Sequence, residues 1–259
     1  MLFITYVLLL ISIFIYMTIW YLLSLLLKKN DIADVAWGLG FLFIAITSFV
    51  FNGVSLDRGF LVTLLVFIWA VRLSVHIYFR NKGKGEDFRY KQWREEWGRF
   101  FCIRSFFQVY MLQGVFMLVV AIPVVFINTF RGSAFNYLDL LGIIVWGMGF
   151  IFESIGDFQL LKFIKNNENK GKILQSGLWK YTRHPNYFGE ITQWWGIGLI
   201  SLSVPFGYLG LIGPFVISYL IIFVSGIPLL EKKLKNEPKF LDYMESTSIL
   251  IPWFPKNHE

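Results

Sequence analysis

The 259-residue sequence predicts an all-α protein, a polytopic membrane bundle of about seven transmembrane helices with the N-terminus outside and the C-terminus cytoplasmic. Three observations predict it. Only 16% of the residues are charged and 56% are hydrophobic, against roughly 25% charged in a soluble domain. The chain therefore lacks the side chains to cover a water-facing surface. Residues 2–27, LFITYVLLLISIFIYMTIWYLLSLLL, carry no charge and exceed the ~20 residues that cross a bilayer. Finally, basic residues crowd into two of the segments between apolar runs, the pattern that orients membrane proteins.

The first run reads as an uncleaved span, because the basic pair Lys28–Lys29 follows it whereas a signal peptide opens on its basic residues. Further runs lie at about 35–51, 59–79, 106–127, 138–161, 186–204 and 207–230. Pro205 and Gly207 leave room only for a tight hairpin between the last two. No internal repeat, low-complexity tract or linker interrupts the pattern, which reads as one integral membrane domain, 1–259.

Loop charges set the orientation. From Arg80 to Arg104 there are eight basic and four acidic residues, and from Lys162 to Arg183 six basic and one acidic. The segments 52–58 and 128–139 each hold one of each sign. By the positive-inside rule the two basic loops are cytoplasmic. The tail from Glu231 to Glu259 is balanced, with five of each. The net charge of +7 is thus explained by membrane orientation, and no nucleic-acid partner is expected. Cys102 is the single cysteine, and His76, His184 and His258 are the only histidines, so neither a cysteine cluster nor a three-histidine zinc site is expected.

Ionisable groups inside a span cost about 2.5–3.5 kcal/mol each at the helix centre and are functional candidates by default. Four groups qualify, all near cytoplasmic helix ends. The second span opens with Asp31 and Asp34, then Trp37 and Gly38; an acid here also suits a helix N-terminus. The third ends with Trp69, Arg72, His76 and Arg80, a spacing that puts all four on one stripe, although arginines near a helix end can also snorkel to headgroups. The fifth carries Glu153 and Asp157 one turn apart. They need partners or a proton, and Arg72, Arg80 and Arg183 are the nearest cations by topology. The fourth group is LWKYTRHPNYFGEITQWWG, residues 178–196. Pro185 suits the first helical position, which leaves Arg183 and His184 on the entering loop and stacks Asn186, Glu190 and Gln193/Trp194 along one face.

GLWKYTRHPNYFGE, with FESIGDFQLLKF before it and RLSVHIYFR upstream, resembles the steroid 5-alpha-reductase-like family in its bacterial branch. The resemblance runs from about Asp31 to Pro255 and is strongest from Glu153 to Gly196. It implies a seven-helix reductase that binds NADPH from the cytoplasmic side and passes hydride to an activated carbon–carbon double bond, as in an enone. Carried over residue by residue, it implies cofactor-binding roles for Asp157, Arg183, His184, Asn186, Tyr187 and Glu190. The stripe Arg72, His76 and Arg80 would lie near cofactor or substrate. The steroid-reducing members carry a Gln-Glu pair near the second span; here Asp34 and Trp37 occupy that region instead.

Residue chemistry fits that reading. No G-x-G-x-x-G opens a strand–helix unit, so a dinucleotide would be held by cations rather than a Rossmann turn. Arg72, Arg80, Lys162, Lys165, Lys172 and Arg183 are available. Asn186 and Glu190 suit ribose hydroxyls or a carboxamide, and Trp179 and Tyr181 suit a ring. Hydride addition creates an enolate that needs a donor, which His76, Tyr90 or a protonated acid such as Asp34 can supply. Trp37, Glu153 and Trp194 complete the set as substrate-facing candidates for a hydrophobic small molecule. Two other readings stay open: an S-adenosylmethionine-dependent membrane methyltransferase, in which a looser Arg-His-Pro…Glu element also occurs, and a non-catalytic lipid-binding protein.

Overall fold

A computed structural model describes residues 1–54, 56–130 and 134–256; His258 lies outside the described residues. These are helical throughout, without strands: α1 (Leu2–Leu27), α2 (Ile32–Phe51), α3 (Arg58–Asn81), α4 (Phe88–Trp97), α5 (Phe101–Arg104), α6 (Leu112–Val120), α7 (Ile122–Thr129), α8 (Tyr137–Lys165), α9 (Pro185–Ser201), α10 (Ile212–Tyr219), α11 (Ile227–Leu234) and α12 (Pro238–Ser246). Among them six stretches are long and apolar enough to cross a membrane: Leu2–Leu27, Ile32–Phe51, Arg58–Asn81, Phe88–Val120, Tyr137–Lys165 and Gly207–Lys232. The chain is an integral membrane protein. The remaining expected span, 186–204, is the helix α9 of 17 residues. At 1.5 Å per residue it reaches roughly 26 Å, short of the ~30 Å hydrocarbon core.

Three boundaries differ from the sequence expectation. The basic segment 80–104 contains a helix, α4, capped by the Asp87 side chain on the Arg89 nitrogen, so the helical stretch that carries the fourth crossing begins at Phe88 rather than 106. That crossing breaks at Ala121 because Pro123, in the first turn of α7, lacks an N–H and cannot continue the preceding helix. The last crossing breaks at Gly226 before Pro228 for the same reason.

By chain contacts the protein forms two compact units: Met1–Phe135 with Ser201–Ile212, and Asn136–Ile200 with Gly213–Glu259. In the first, α2 is the central helix. Gly38 lets it approach α3 so closely that a Cβ would meet the Ser74 hydroxyl and lie 3.2 Å from the Ala70 carbonyl, and Gly40 gives Met117 its place. Leu9, Ile13, Met17, Phe41, Ile44, Val62, Val66, Met117 and Val120 fill the core. The outer side of α1, including Phe3, Leu10, Phe14 and Leu26, stays exposed, as a lipid-facing surface does. Some buried polar groups pair across helices: Asn128 Nδ2 donates to Ala45 O (3.1 Å) and to Ser48 Oγ (2.9 Å). At the 201–212 hairpin a Cβ on Gly207 would overlap Ser201 O, so only glycine fits.

In the second unit α8 opens with a capping box, Asn136 accepting from Leu138 N (2.8 Å) and Asp139 from Asn136 N (2.8 Å). Glycines then recur every seven residues on both packed helices, at 142, 149 and 156 on α8 and at 189 and 196 on α9. A Cβ on Gly149 would lie 2.6 Å from Gly189 O, and one on Gly142 would lie 2.6 Å from Gly196 O. Without side chains at the crossing the backbones approach closely, as small residues permit between membrane helices. That approach brings the acids of α8 against the amides of α9.

Candidate functional site

Both units hold hydrogen-bonded clusters of ionisable side chains among the described residues. In the first, Asp34 on the opening turn of α2 accepts from the Tyr90 hydroxyl (2.8 Å) and from Arg89 Nη2 (2.7 Å). Tyr90 is 2% exposed, so its phenol sits out of bulk water beside a carboxylate and a guanidinium. Asp87 accepts from Arg89 Nε (2.9 Å) and aims it. Behind this trio Glu86 accepts from Asn30 N (2.8 Å) and pairs with Arg94 (2.8 Å), while Asn30 Nδ2 donates to Ser105 Oγ (2.6 Å). Burial pushes the Asp31 carboxyl above its ordinary range, with help from the carboxylates of Asp34 and Glu86 and against a backbone hydrogen bond from Asp87 and the charge of Lys29.

Asp34 and Tyr90, both candidates from the sequence, are thus brought together. Trp37 packs edge-on against Phe41 (4.9 Å), which meets Trp69 (5.5 Å). On α3 the buried Trp69 is followed by half-buried Arg72, His76 and Arg80. Arg80 Nε reaches Asn81 Oδ1 at 3.3 Å. Arg89 was not expected as Asp34's partner; the available signal was the acid Asp87 two residues ahead of it, a cap followed by a held side chain.

In the second unit the Gly149/Gly189 crossing sets Glu153 opposite Gln193, whose Nε2 donates to it at 2.5 Å. One turn on, Asp157 accepts from Asn186 Nδ2 (3.2 Å). Both acids are buried, at 2% and 6% exposure. The side-chain oxygens of Asn186 and Gln193 are also buried and meet no donor among the described residues, so this face of α9 presents two acceptors. Glu190, half-buried, lies between them on the helix, and Trp194 is buried at 1%. Lys162 and Lys165, in the last turn of α8, and Lys172 beyond it are exposed.

Pro185 starts α9 as expected. Arg183, offered by the sequence as a cation for Asp157 or a nucleotide, is buried and bound within the protein. Its Nε donates to Glu231 Oε1 (2.9 Å), and Nη1 donates to the carbonyls of Thr247 (2.6 Å) and Met244 (3.0 Å). His184 Nε2 meets the same Glu231 oxygen at 3.0 Å, and its ring stacks on Tyr187 (5.5 Å, 19°). Trp179 is buried, its indole N–H donating to Gly156 O (3.1 Å). The Tyr243 hydroxyl donates to Trp179 O, and burial holds that phenol protonated by raising its pKa. Tyr181 is half exposed, edge-on to Phe254. Glu231 was missed by sequence reasoning. Its signal was a lone acid closing the apolar run 207–230, immediately before Lys232.

A family model described as protein of unknown function (DUF1295) matches residues 20–247. The chain is similar to 3-oxo-5-alpha-steroid 4-dehydrogenase 1 of Rattus norvegicus, 32% identical over 117 residues, which cover 44% of this chain and 41% of that protein. It is 37% identical to the Homo sapiens protein of that name over 65 residues, 25% of each chain. The Mus musculus protein matches at 35% over 65 residues, 25% of this chain and 26% of that one. The matches thus span about two fifths of the rat relative and a quarter of the other two. No solved structure matches this chain. With the family model spanning residues 20–247 of an integral membrane helical chain, the chain belongs to the DUF1295 family and is steroid 5-alpha-reductase-like.

Proposed function

We propose that this protein is a membrane-embedded, NADPH-dependent oxidoreductase that reduces an activated, enone-type carbon–carbon double bond in a lipid-like or steroid-like substrate. The observation that carries the reading is the Asp34–Tyr90–Arg89 trio. Adding hydride to the β-carbon of an enone drives an electron pair onto the carbonyl oxygen, and a preorganised donor at that oxygen lowers the barrier. The Tyr90 hydroxyl can turn from Asp34 to such an oxygen, because Arg89 keeps the Asp34 charge compensated when it does. Transfer of a proton from water to the α-carbon of the enolate then completes the reduction, leaving hydroxide.

The residues of the second unit fit the nucleotide. The acceptor oxygens of Asn186 and Gln193 lack donors and suit ribose hydroxyls or a carboxamide, while Lys162, Lys165 and Lys172 can meet phosphate oxygens. A bound dihydronicotinamide would supply the hydride. Arg183 and His184 act at this site by fixing the start of α9 through Glu231. The similarity to 3-oxo-5-alpha-steroid 4-dehydrogenases supports the same class of reaction. The relevant side of the membrane is the cytoplasmic one, where both basic segments are expected.

Thermal shift of the full-length protein in detergent with NADPH, NADH or S-adenosylmethionine tests the cofactor. Stabilisation by S-adenosylmethionine alone would favour a methyltransferase, and stabilisation by none a lipid-binding role. With an enone lipid as substrate, Tyr90→Phe is expected to slow NADPH oxidation by about 10²–10³-fold and to leave the NADPH-induced shift in place. Equal turnover by wild type and Tyr90→Phe would remove the trio from the reaction.

A further inference from the structure

The last residues described, Met244 to Lys256, form a strap rather than a loose tail. Arg183 N donates to Ser248 O (2.9 Å), Trp253 N to Tyr181 O (2.9 Å) and Lys256 N to Ser246 O (2.9 Å). Thr182 Oγ1 donates to Leu250 O (2.8 Å), and the Arg183 guanidinium holds the carbonyls of Thr247 and Met244. Despite this anchoring, three large apolar side chains are largely exposed: Ile251 at 65%, Trp253 at 71% and Phe254, whose ring meets Tyr181 by an edge, at 77%. Pro252 and Pro255 flank the two aromatics and fix the backbone that presents them.

The place of the strap identifies what covers this face. Arg183 and His184 both bond to Glu231, which ends the apolar stretch Gly207–Lys232. The strap is therefore tied to the end of a membrane-crossing segment, where hydrocarbon gives way to headgroups. Trp favours that zone because its ring is apolar and its N–H is polar. Lys180 and Lys256, both exposed, flank the patch with positive charge that complements anionic headgroups.

We propose that Ile251, Trp253 and Phe254 are an interfacial anchor that seats the C-terminal strap in the headgroup zone of the bilayer the chain itself spans. Through Thr182 and Arg183 this seating steadies the loop that enters α9. The anchor is independent of the nucleotide or substrate used.

The test uses the full chain with Cys102→Ser, reconstituted in vesicles of phosphatidylcholine and phosphatidylglycerol. An environment-sensitive fluorophore is attached at Trp253→Cys, and in a second protein at Glu168→Cys, an exposed loop position. At Trp253→Cys we expect blue-shifted emission, quenched by lipids carrying a nitroxide high on the acyl chain and protected from aqueous iodide. At Glu168→Cys the order should reverse. Ile251→Cys repeats the reading if the first variant does not insert. Iodide quenching at 253 equal to that at 168 would overturn the proposal. So would protection from both quenchers together with crosslinking between copies, which would assign the patch to a protein interface.

Discussion

Arg183 has its guanidinium divided between one carboxylate and two carbonyls, with 7% of its side chain exposed, and Glu231 in turn serves both Arg183 and His184. Removing one partner of such a pair strands a buried charge, at about 3–5 kcal/mol. We expect Glu231→Ala to lower thermal stability in detergent by that amount and Glu231→Gln, which still accepts a hydrogen bond, by less. Equal losses would mean that shape rather than charge holds the loop. Asp31 acts in the opposite sense. Its carboxyl is raised by burial, so the folded protein binds that proton more tightly than the unfolded chain does. The stability it contributes is present below the ordinary Asp value of about 3.9 and is lost as pH rises through the raised value. Asp31→Asn, which resembles the protonated form and suits a helix start equally well, should therefore raise the Tm near about pH 7. The gain should shrink as pH falls toward about 4. A pH-independent effect would show that Asp31 titrates normally.

The α8–α9 pair shows how small residues at a crossing aim large ones beside it. Gly149 and Gly189 meet backbone to backbone, and a Cβ at Gly189 would meet the Glu153 nitrogen and lie 2.5 Å from Gly149 O. Neither partner is the end of a flexible side chain, so the helices must part. Gly189→Ala is expected to cost roughly 1–3 kcal/mol, the range for overpacking, and to lengthen the Glu153–Gln193 and Asp157–Asn186 contacts. Gly147 on α8 has open space where a Cβ would go. Gly147→Ala should be neutral or stabilising by about 0.5–1 kcal/mol, since alanine loses less backbone freedom than glycine. Comparable Tm losses for the two variants would show that the close approach is not what sets this pair.

Across the whole chain the charge asymmetry makes its own claim. The Arg80–Arg104 and Lys162–Arg183 segments hold fourteen basic and five acidic residues between them, from eight and six basic and four and one acidic. Cytoplasmic retention of such segments predicts that reporter fusions within 165–172 are active on the cytoplasmic side and those within 52–58 on the other. A 165–172 fusion active outside would invert the orientation and move the nucleotide-facing lysines away from the cytoplasm.

The sequence by itself determined the long apolar helices and a few of the points at which they start or turn. Apolar runs, Pro185 and the Pro205–Gly207 hairpin act over a few residues, so they read directly from the chain. It also marked the expensive polar groups, since any acid inside an apolar run stands out: Asp34, Glu153 and Asp157 each proved to be hydrogen-bonded. It could not determine the partners. Arg89 reaches Asp34 across 55 positions and Glu231 reaches Arg183 across 48, and periodicity carries no information over such separations. Nor did it show that α4 is a helix, because the charge of 80–104 hid the Asp87 cap. The tertiary structure decided these, since a buried charge takes whichever partner helix packing brings within about 3 Å. That packing was settled elsewhere, by glycines with no chemistry of their own.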